Sequence, residues 1–229
     1  MALPRPPRAV VFDMDGLLFD TEALYQEAMV FAATEAGVVG AGDLFMRTVG
    51  VPSAQCRAIL LSHFGESFQV DEFLAAWGRH FWAIAETRLA LKPGVVELLD
   101  VLDELSVPRA IATSSSQQTV RRHLTAHGLS QRFDAIVAQG DYESGKPAPD
   151  PFLEAARRLA AEPCFCLALE DSHNGVRSAA SAGMMTIMVP DILKPTEEIR
   201  GLCVYVAGDL YEVRELLART VTGRKGDHI

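Results

Sequence analysis

Positive charge is in short supply. Lys and Arg together number 21 against 30 Asp and Glu, a formal net charge of −9 over 229 residues. That balance argues against a broad nucleic-acid surface and against attachment to an anionic membrane. It is compatible with a small phosphorylated metabolite, provided a metal and a local cation sit in the pocket. Cysteine is also scarce. Cys56, Cys164, Cys166 and Cys203 show no zinc-like pairing and no disulfide framework, and Cys164 and Cys166 alternate within an apolar run, so they read as buried small hydrophobes. This usage suits a reducing compartment. No apolar run approaches the roughly 20 residues needed to cross a bilayer. The opening Met1-Ala2-Leu3-Pro4-Arg5-Pro6-Pro7 is too short and too proline-rich for a signal peptide. A cytoplasmic monomer is expected. Internal repeats and low-complexity segments are lacking too. The rest of the composition, 49% hydrophobic and 22% charged, is that of an ordinary globular chain able to bury a real core.

The stretch that organises the chain is Val10-Val11-Phe12-Asp13-Met14-Asp15-Gly16. Its apolar part reads as a buried strand over residues 8–13, after a frayed lead-in at 1–7. Alternation along an extended chain puts Asp13 and Asp15 on one side, at the strand's C-terminal mouth. Two neighbouring carboxylates repel. Something must offset that repulsion; a divalent cation is the commonest candidate, and Mg²⁺ takes oxygen ligands of this kind. Taken alone, an Asp-x-Asp-Gly is better read as two solvated acids in a turn. The strand before it and three polar clusters after later strands shift the balance.

From Thr21, read as a helix cap, the period becomes helical to Gly37, again over 43–49, from Ser53 to Phe64, and over 70–90. Nothing between Asp20 and Ala90 reads as a strand, so residues 20–90 form a helical block inserted after the first strand. From Lys92-Pro93-Gly94 onward strands and helices alternate. The expected helices are 95–105, from the serines at 114–116 to about 128, 149–161, 176–182 and 211–219. The expected strands are 109–113, 133–138, 164–169, 185–189 and 204–207. The tail after Val221 is expected to be disordered. Such alternation implies an α/β domain with a doubly wound parallel sheet, built from residues 1–19 and 91–229.

Ligands of doubly wound sheets bind at the carboxyl ends of the strands. Four polar clusters fall there: Asp13 and Asp15; Thr113 and Ser114; Lys146; and Glu170 with Asp171. The set suits phosphoryl transfer. Asp13 can attack phosphorus as a carboxylate nucleophile, and Asp15 can pass a proton to the leaving oxygen and take one from water. Mg²⁺ would neutralise the phosphate oxygens. Lys146 would add a point charge, and Thr113 with the following helix start would hold the remaining oxygens. Each cluster has a plainer reading. Thr113 with its serines makes an equally good strand end and N-cap, Lys146 a loop lysine, and Glu170-Asp171-Ser172 a solvated turn. It is their convergence on one crevice that favours a site.

Asp13-Met14-Asp15-Gly16-Leu17-Leu18-Phe19-Asp20-Thr21 resembles the first motif of the haloacid dehalogenase superfamily. Ile111–Ser115, Gly145–Phe152 and Glu170–Val176 are similar to its second, third and fourth motifs. Order and spacing cover almost the whole chain. The nearest branch is that of the β-phosphoglucomutase-like phosphatases with a small helical cap. The resemblance implies Asp13 as nucleophile and Asp15 as general acid/base. It implies Mg²⁺ held by Asp13, the Asp15 carbonyl and Asp171 with Glu170 in support. It also implies Thr113, Ser114 and Lys146 on the phosphoryl group, and residues 20–90 as a lid.

Two departures bear on the reaction. Where the sugar phosphomutases of the branch carry a histidine, this chain has Tyr25, and the arginine they place after a Gly-Val is absent, because Gly50-Val51-Pro52 runs into Ser53. Both favour a Mg²⁺-dependent phosphatase acting on a sugar, polyol or nucleoside monophosphate over a phosphomutase. A phosphorylatable signalling receiver is a third reading, which Asp15 and the inserted helices oppose. Dehalogenation has no need of the Asp15, Glu170 and Asp171 cluster. Arg47, Arg79 and His80 fit either the pocket or a solvated face, Trp77, Phe81 and Trp82 fit the core of the helical block, and His173 fits a helix cap.

Overall fold

A computed structural model describes residues 3–51 and 53–222 of the chain. The chain divides into two compact units. One runs up to Leu18 and resumes at Leu91; the other is Phe19–Ala90.

The first unit is an α/β sandwich around a six-stranded parallel sheet. Its strands are β1 (Ala9–Phe12), β2 (Arg109–Ser116), β3 (Ala135–Gln139), β4 (Cys166–Glu170), β5 (Met185–Met188) and β6 (Tyr205–Val206), in the spatial order β3-β2-β1-β4-β5-β6. The strand pairings among the described residues are parallel, with Val11 opposite Ala110 on one side and Ala168 on the other. β1 is buried at all four positions, as the apolar run requires of a strand covered on both faces. Ala9 and Val11 point to one face, where they meet Phe152, Ala155 and Ala156 of a helix over Asp150–Arg158 and Ala179 of another over His173–Ser181. Val10 and Phe12, one residue out of phase, face the opposite layer.

In chain order the helices are α1 (Glu22–Glu35), α2 (Ala41–Phe45), α3 (Ser53–Phe64), α4 (Val70–Arg88), α5 (Val95–Glu104), α6 (Gln117–Ala126), α7 (Asp150–Arg158), α8 (His173–Ser181), α9 (Glu197–Leu202) and α10 (Leu210–Thr222). The first four make up the helical unit. There the Tyr25 ring stacks on Phe81 with centroids 3.8 Å apart, and Trp77 Nε1 donates to the Tyr25 carbonyl at 2.8 Å. Trp77 and Trp82 pack against the buried cluster of Leu24, Ala28, Phe81 and Ala85, so these aromatics form core. Arg79 and His80 both pair with Glu35.

Several local expectations are corrected. The lead-in is not frayed throughout: Leu3 is buried, and its N–H donates to Thr220 Oγ1 at 3.0 Å. Met1, Ala2 and the last seven residues of the expected disordered tail lie outside the described residues. Thr21 occupies the N-cap position of α1 in a helical conformation, and its side chain makes no cap bond. The second helix stops at Phe45 rather than running to Val49. Arg47 and Thr48 bond three residues back, and the Thr48 hydroxyl donates to the Phe45 carbonyl, competing with the helical ladder. Cys164 is exposed, because a 3₁₀ turn over Pro163–Phe165 precedes β4, and alternation starts only at Cys166. α9 was not foreseen.

Candidate active site

The carboxyl ends of β1 and β4 meet where the strand order changes direction, since β1 lies between β2 and β4. This is the crevice at which open α/β sheets bind ligands. Asp13 follows β1 directly and is 6% exposed; Glu170 ends β4 and is fully buried; Asp171 follows it and is 4% exposed. One carboxylate oxygen from each of the three lies within 4.8 Å of the others.

Lys146 reaches the cluster from the segment between β3 and α7. Its Nζ donates to Asp13 Oδ1 at 2.5 Å and to Glu170 Oε1 at 2.6 Å, and the residue is 7% exposed. It lies 5.1 Å from the centroid of the Phe152 ring. The plain reading of Lys146 as a loop lysine therefore does not hold. Burial alone would lower the Lys146 pKa, but the Asp13 and Glu170 charges and hydrogen bonds outweigh it and hold the ammonium above its ordinary value. Asp13 moves the other way. Burial pushes its carboxyl well above the usual carboxylate range, Lys146 opposes the shift, and the charges of Glu170 and Asp15 add to it.

Close packing depends on two glycines. Gly16 has φ +80°, and a Cβ there would overlap Asp171 Oδ2; a Cβ on Gly175, in the first turn of α8, would overlap the Glu170 carboxylate. Ser172 caps α8 by accepting from the Gly175 N–H at 3.1 Å, and its own N–H and hydroxyl donate to Glu170 Oε2 at 2.9 and 3.0 Å. His173, read above as a possible cap, instead places Nε2 2.9 Å from the Lys194 carbonyl.

Asp15 is held differently. Ser115 Oγ donates to its Oδ2 at 2.7 Å, while Asp15 Oδ1 is buried without a hydrogen-bond partner. Thr113 is 1% exposed, and its Oγ1 accepts from the Ser115 N–H at 3.0 Å. Ser114 is exposed on β2. Sequence reasoning stopped at Thr113 and Ser114 and missed Ser115. The available signal was alternation, which puts residues 113 and 115 on one side of an extended segment. Tyr142, whose hydroxyl donates to the Thr113 carbonyl at 3.2 Å, was missed as well, because nothing in its neighbourhood marks it.

The arrangement is a buried, oxygen-rich anionic cluster with one lysine. Among the described residues, no helix is long and apolar enough to cross a membrane. Residues 7–183 match the family model for haloacid dehalogenase-like hydrolases. The chain belongs to the haloacid dehalogenase-like hydrolase family. Its similarity to a phosphorylated carbohydrates phosphatase of Thermotoga maritima is 34% identity, covering 78% of this chain and 83% of that protein. A bifunctional riboflavin kinase/FMN phosphatase of Arabidopsis thaliana is 31% identical over 85% of this chain, which spans about half (52%) of that longer protein. Among solved structures, a putative β-phosphoglucomutase from Thermotoga maritima superposes with a TM-score of 0.75 at 30% identity, covering 94% of this chain and 98% of that one. The haloacid dehalogenase fold expected from the motifs and the hydrolase class are thereby established.

Proposed function

We propose that this hydrolase is a Mg²⁺-dependent phosphatase of a small phosphorylated metabolite (a sugar, polyol or nucleoside monophosphate), working through an aspartyl-phosphate on Asp13. The observation that carries the reading is the buried Asp13, fixed by Lys146 beside Glu170 and Asp171. The named phosphatases among its relatives support the reaction class.

The cluster fits a hard divalent cation. Three buried carboxylates stand against the single charge of Lys146, and the Glu170 and Asp15 charges add to the burial that raises the Asp13 carboxyl. Oxygen ligands alone suit magnesium. Asp13, Glu170, Asp171 and the Asp15 backbone carbonyl are the residues assigned to hold it. When bound, Mg²⁺ would neutralise charge on the phosphoryl oxygens and favour the Asp13 carboxylate.

The chain's own groups perform the steps. An Asp13 carboxylate oxygen attacks phosphorus, and the bond from phosphorus to the substrate oxygen breaks. Asp15 gives its proton to the departing alcohol, with Ser115 holding the other side of its carboxylate. Water then attacks the same phosphorus, Asp15 takes the water's proton, and phosphate leaves with Asp13 restored. Lys146 binds a phosphoryl oxygen throughout; Thr113 and Ser114 take the others, assisted by backbone N–H groups. Residues 20–90, inserted just beyond β1, are assigned the cap that selects the substrate. Tyr25 in place of the mutase histidine supports water rather than a second sugar as acceptor.

The test is phosphate release from a panel of sugar, polyol and nucleoside monophosphates with Mg²⁺ or EDTA. The panel includes β-glucose 1-phosphate with its bisphosphate activator. Metal-dependent release from one or a few members is expected. Conversion of glucose 1-phosphate to the 6-phosphate without net release would replace this reading with a mutase.

A further inference from the structure

Lys92 and Asp191 have no part in the steps above, yet they border the cluster. Lys92 lies just before α5, and its N–H donates to the Leu18 carbonyl at 3.0 Å, on the segment that carries Asp15. Asp191 follows β5. Lys92 Nζ donates to Asp191 Oδ1 at 2.8 Å, with the two side chains only 24% and 14% exposed. The other oxygen, Oδ2, is turned toward Gly16: a methyl group there would overlap Asp171 Oδ2 and stand 3.5 Å from Asp191 Oδ2. The Asp171 and Asp191 carboxylates therefore lie within about 6 Å of each other, close enough for one charge to act on the other. The pair stands beside Asp171, with Lys92 on Asp191 Oδ1 and Asp191 Oδ2 nearer to Gly16.

We infer that Asp191, held by Lys92, is a positioning residue that tunes the affinity of the Asp13, Glu170 and Asp171 cluster for a divalent cation. It supplies negative potential through Asp171, and Lys92 limits how much. The inference rests on the reading of that cluster as a cation site. A purely structural ion pair would behave differently. Both partners would then matter in the same way, and exchanging them would be harmless.

The experiment is titration of the full chain with Mg²⁺ alone, followed by calorimetry, with thermal unfolding in EDTA as a check of folding. Asp191→Asn removes a negative charge beside Asp171 and is expected to raise Kd for Mg²⁺ about three- to tenfold. Lys92→Met breaks the same pair but leaves Asp191 charged, so Kd is expected to fall. The exchange Lys92→Asp with Asp191→Lys keeps an ion pair yet puts a cation beside Asp171, and should weaken binding beyond Asp191→Asn. Asp191→Glu should retain affinity close to that of the unaltered chain, and carries the test should Asp191→Asn fail to fold. An unaltered Kd in Asp191→Asn, parallel losses in both single variants, or recovery in the exchange would overturn the inference while leaving the cation site intact. A chain that binds no Mg²⁺ even without substitution would instead overturn the cation site itself, and this inference with it.

Discussion

Asp13 and Lys146 are far apart in sequence and joined by a 2.5 Å hydrogen bond in the fold. Asp15 stands on the other side of the proposed reaction, anchored by Ser115. Removing its proton chemistry should separate the two halves of turnover. Asp15→Asn is expected to release one equivalent of alcohol from an activated aryl phosphate and then stall, which stopped-flow absorbance would record. Continued release at the original rate would remove Asp15 from its role. Gly175→Ala tests the close approach of α8 to Glu170. The added methyl displaces either the carboxylate or the helix start, costing about 1–3 kcal/mol in denaturant unfolding and lowering turnover together with stability. At this scale the sequence was most informative for Asp13, Asp15, Glu170 and Asp171, which end or follow apolar strands, while Lys146, in the loop after β3, gained its reading only from their convergence on one crevice. It was silent on what holds them. Ser115 could have been found by alternation from Thr113, but the contact of Tyr142 with Thr113 and the pairing of Asp191 with Lys92 join residues distant in sequence, which no local pattern encodes.

The elements carry the site in different ways. α7 puts Phe152, fully buried, both into the core beside Val11 and under the Lys146 ammonium. Phe152→Ala should therefore cost about 3–5 kcal/mol by urea denaturation and weaken phosphate retention as well. A loss below about 1 kcal/mol would mean that α7 does not seat Lys146. α5, with its clear apolar period, was legible to within a residue, and α3 matched the expected 53–64 without a comparable period. β2 was read as five residues and spans eight, because the serines after Thr113 look like a helix cap but only Ser116 serves as one. α9 escaped notice. Its six residues are largely charged or small, and the single buried side chain, Ile199, gives no period to read.

For the whole molecule, alternation of strand and helix announced a doubly wound parallel sheet. The order β3-β2-β1-β4-β5-β6 was not readable, since it arises from which strands pack best once crossovers are right-handed. That order is nevertheless what brings β1 beside β4, and so Asp13 beside Glu170 and Asp171. If the cluster holds a cation as proposed, the excess of buried negative charge at that junction would make the folded state itself sensitive to it. Mg²⁺ at a hundred times its Kd should stabilise the chain by about 2.7 kcal/mol relative to EDTA, read as a rise in Tm. No rise in Tm at saturating Mg²⁺ would count against the cluster as a cation site.

The most direct measurement is mass spectrometry of acid-quenched Asp15→Asn enzyme after exposure to an aryl phosphate and Mg²⁺. The expected result is one added phosphoryl group on the peptide containing Asp13, absent when Asp13→Asn is combined with it. Phosphoryl label on another residue, or steady phosphate release by Asp13→Asn, would contradict Asp13 as the nucleophile.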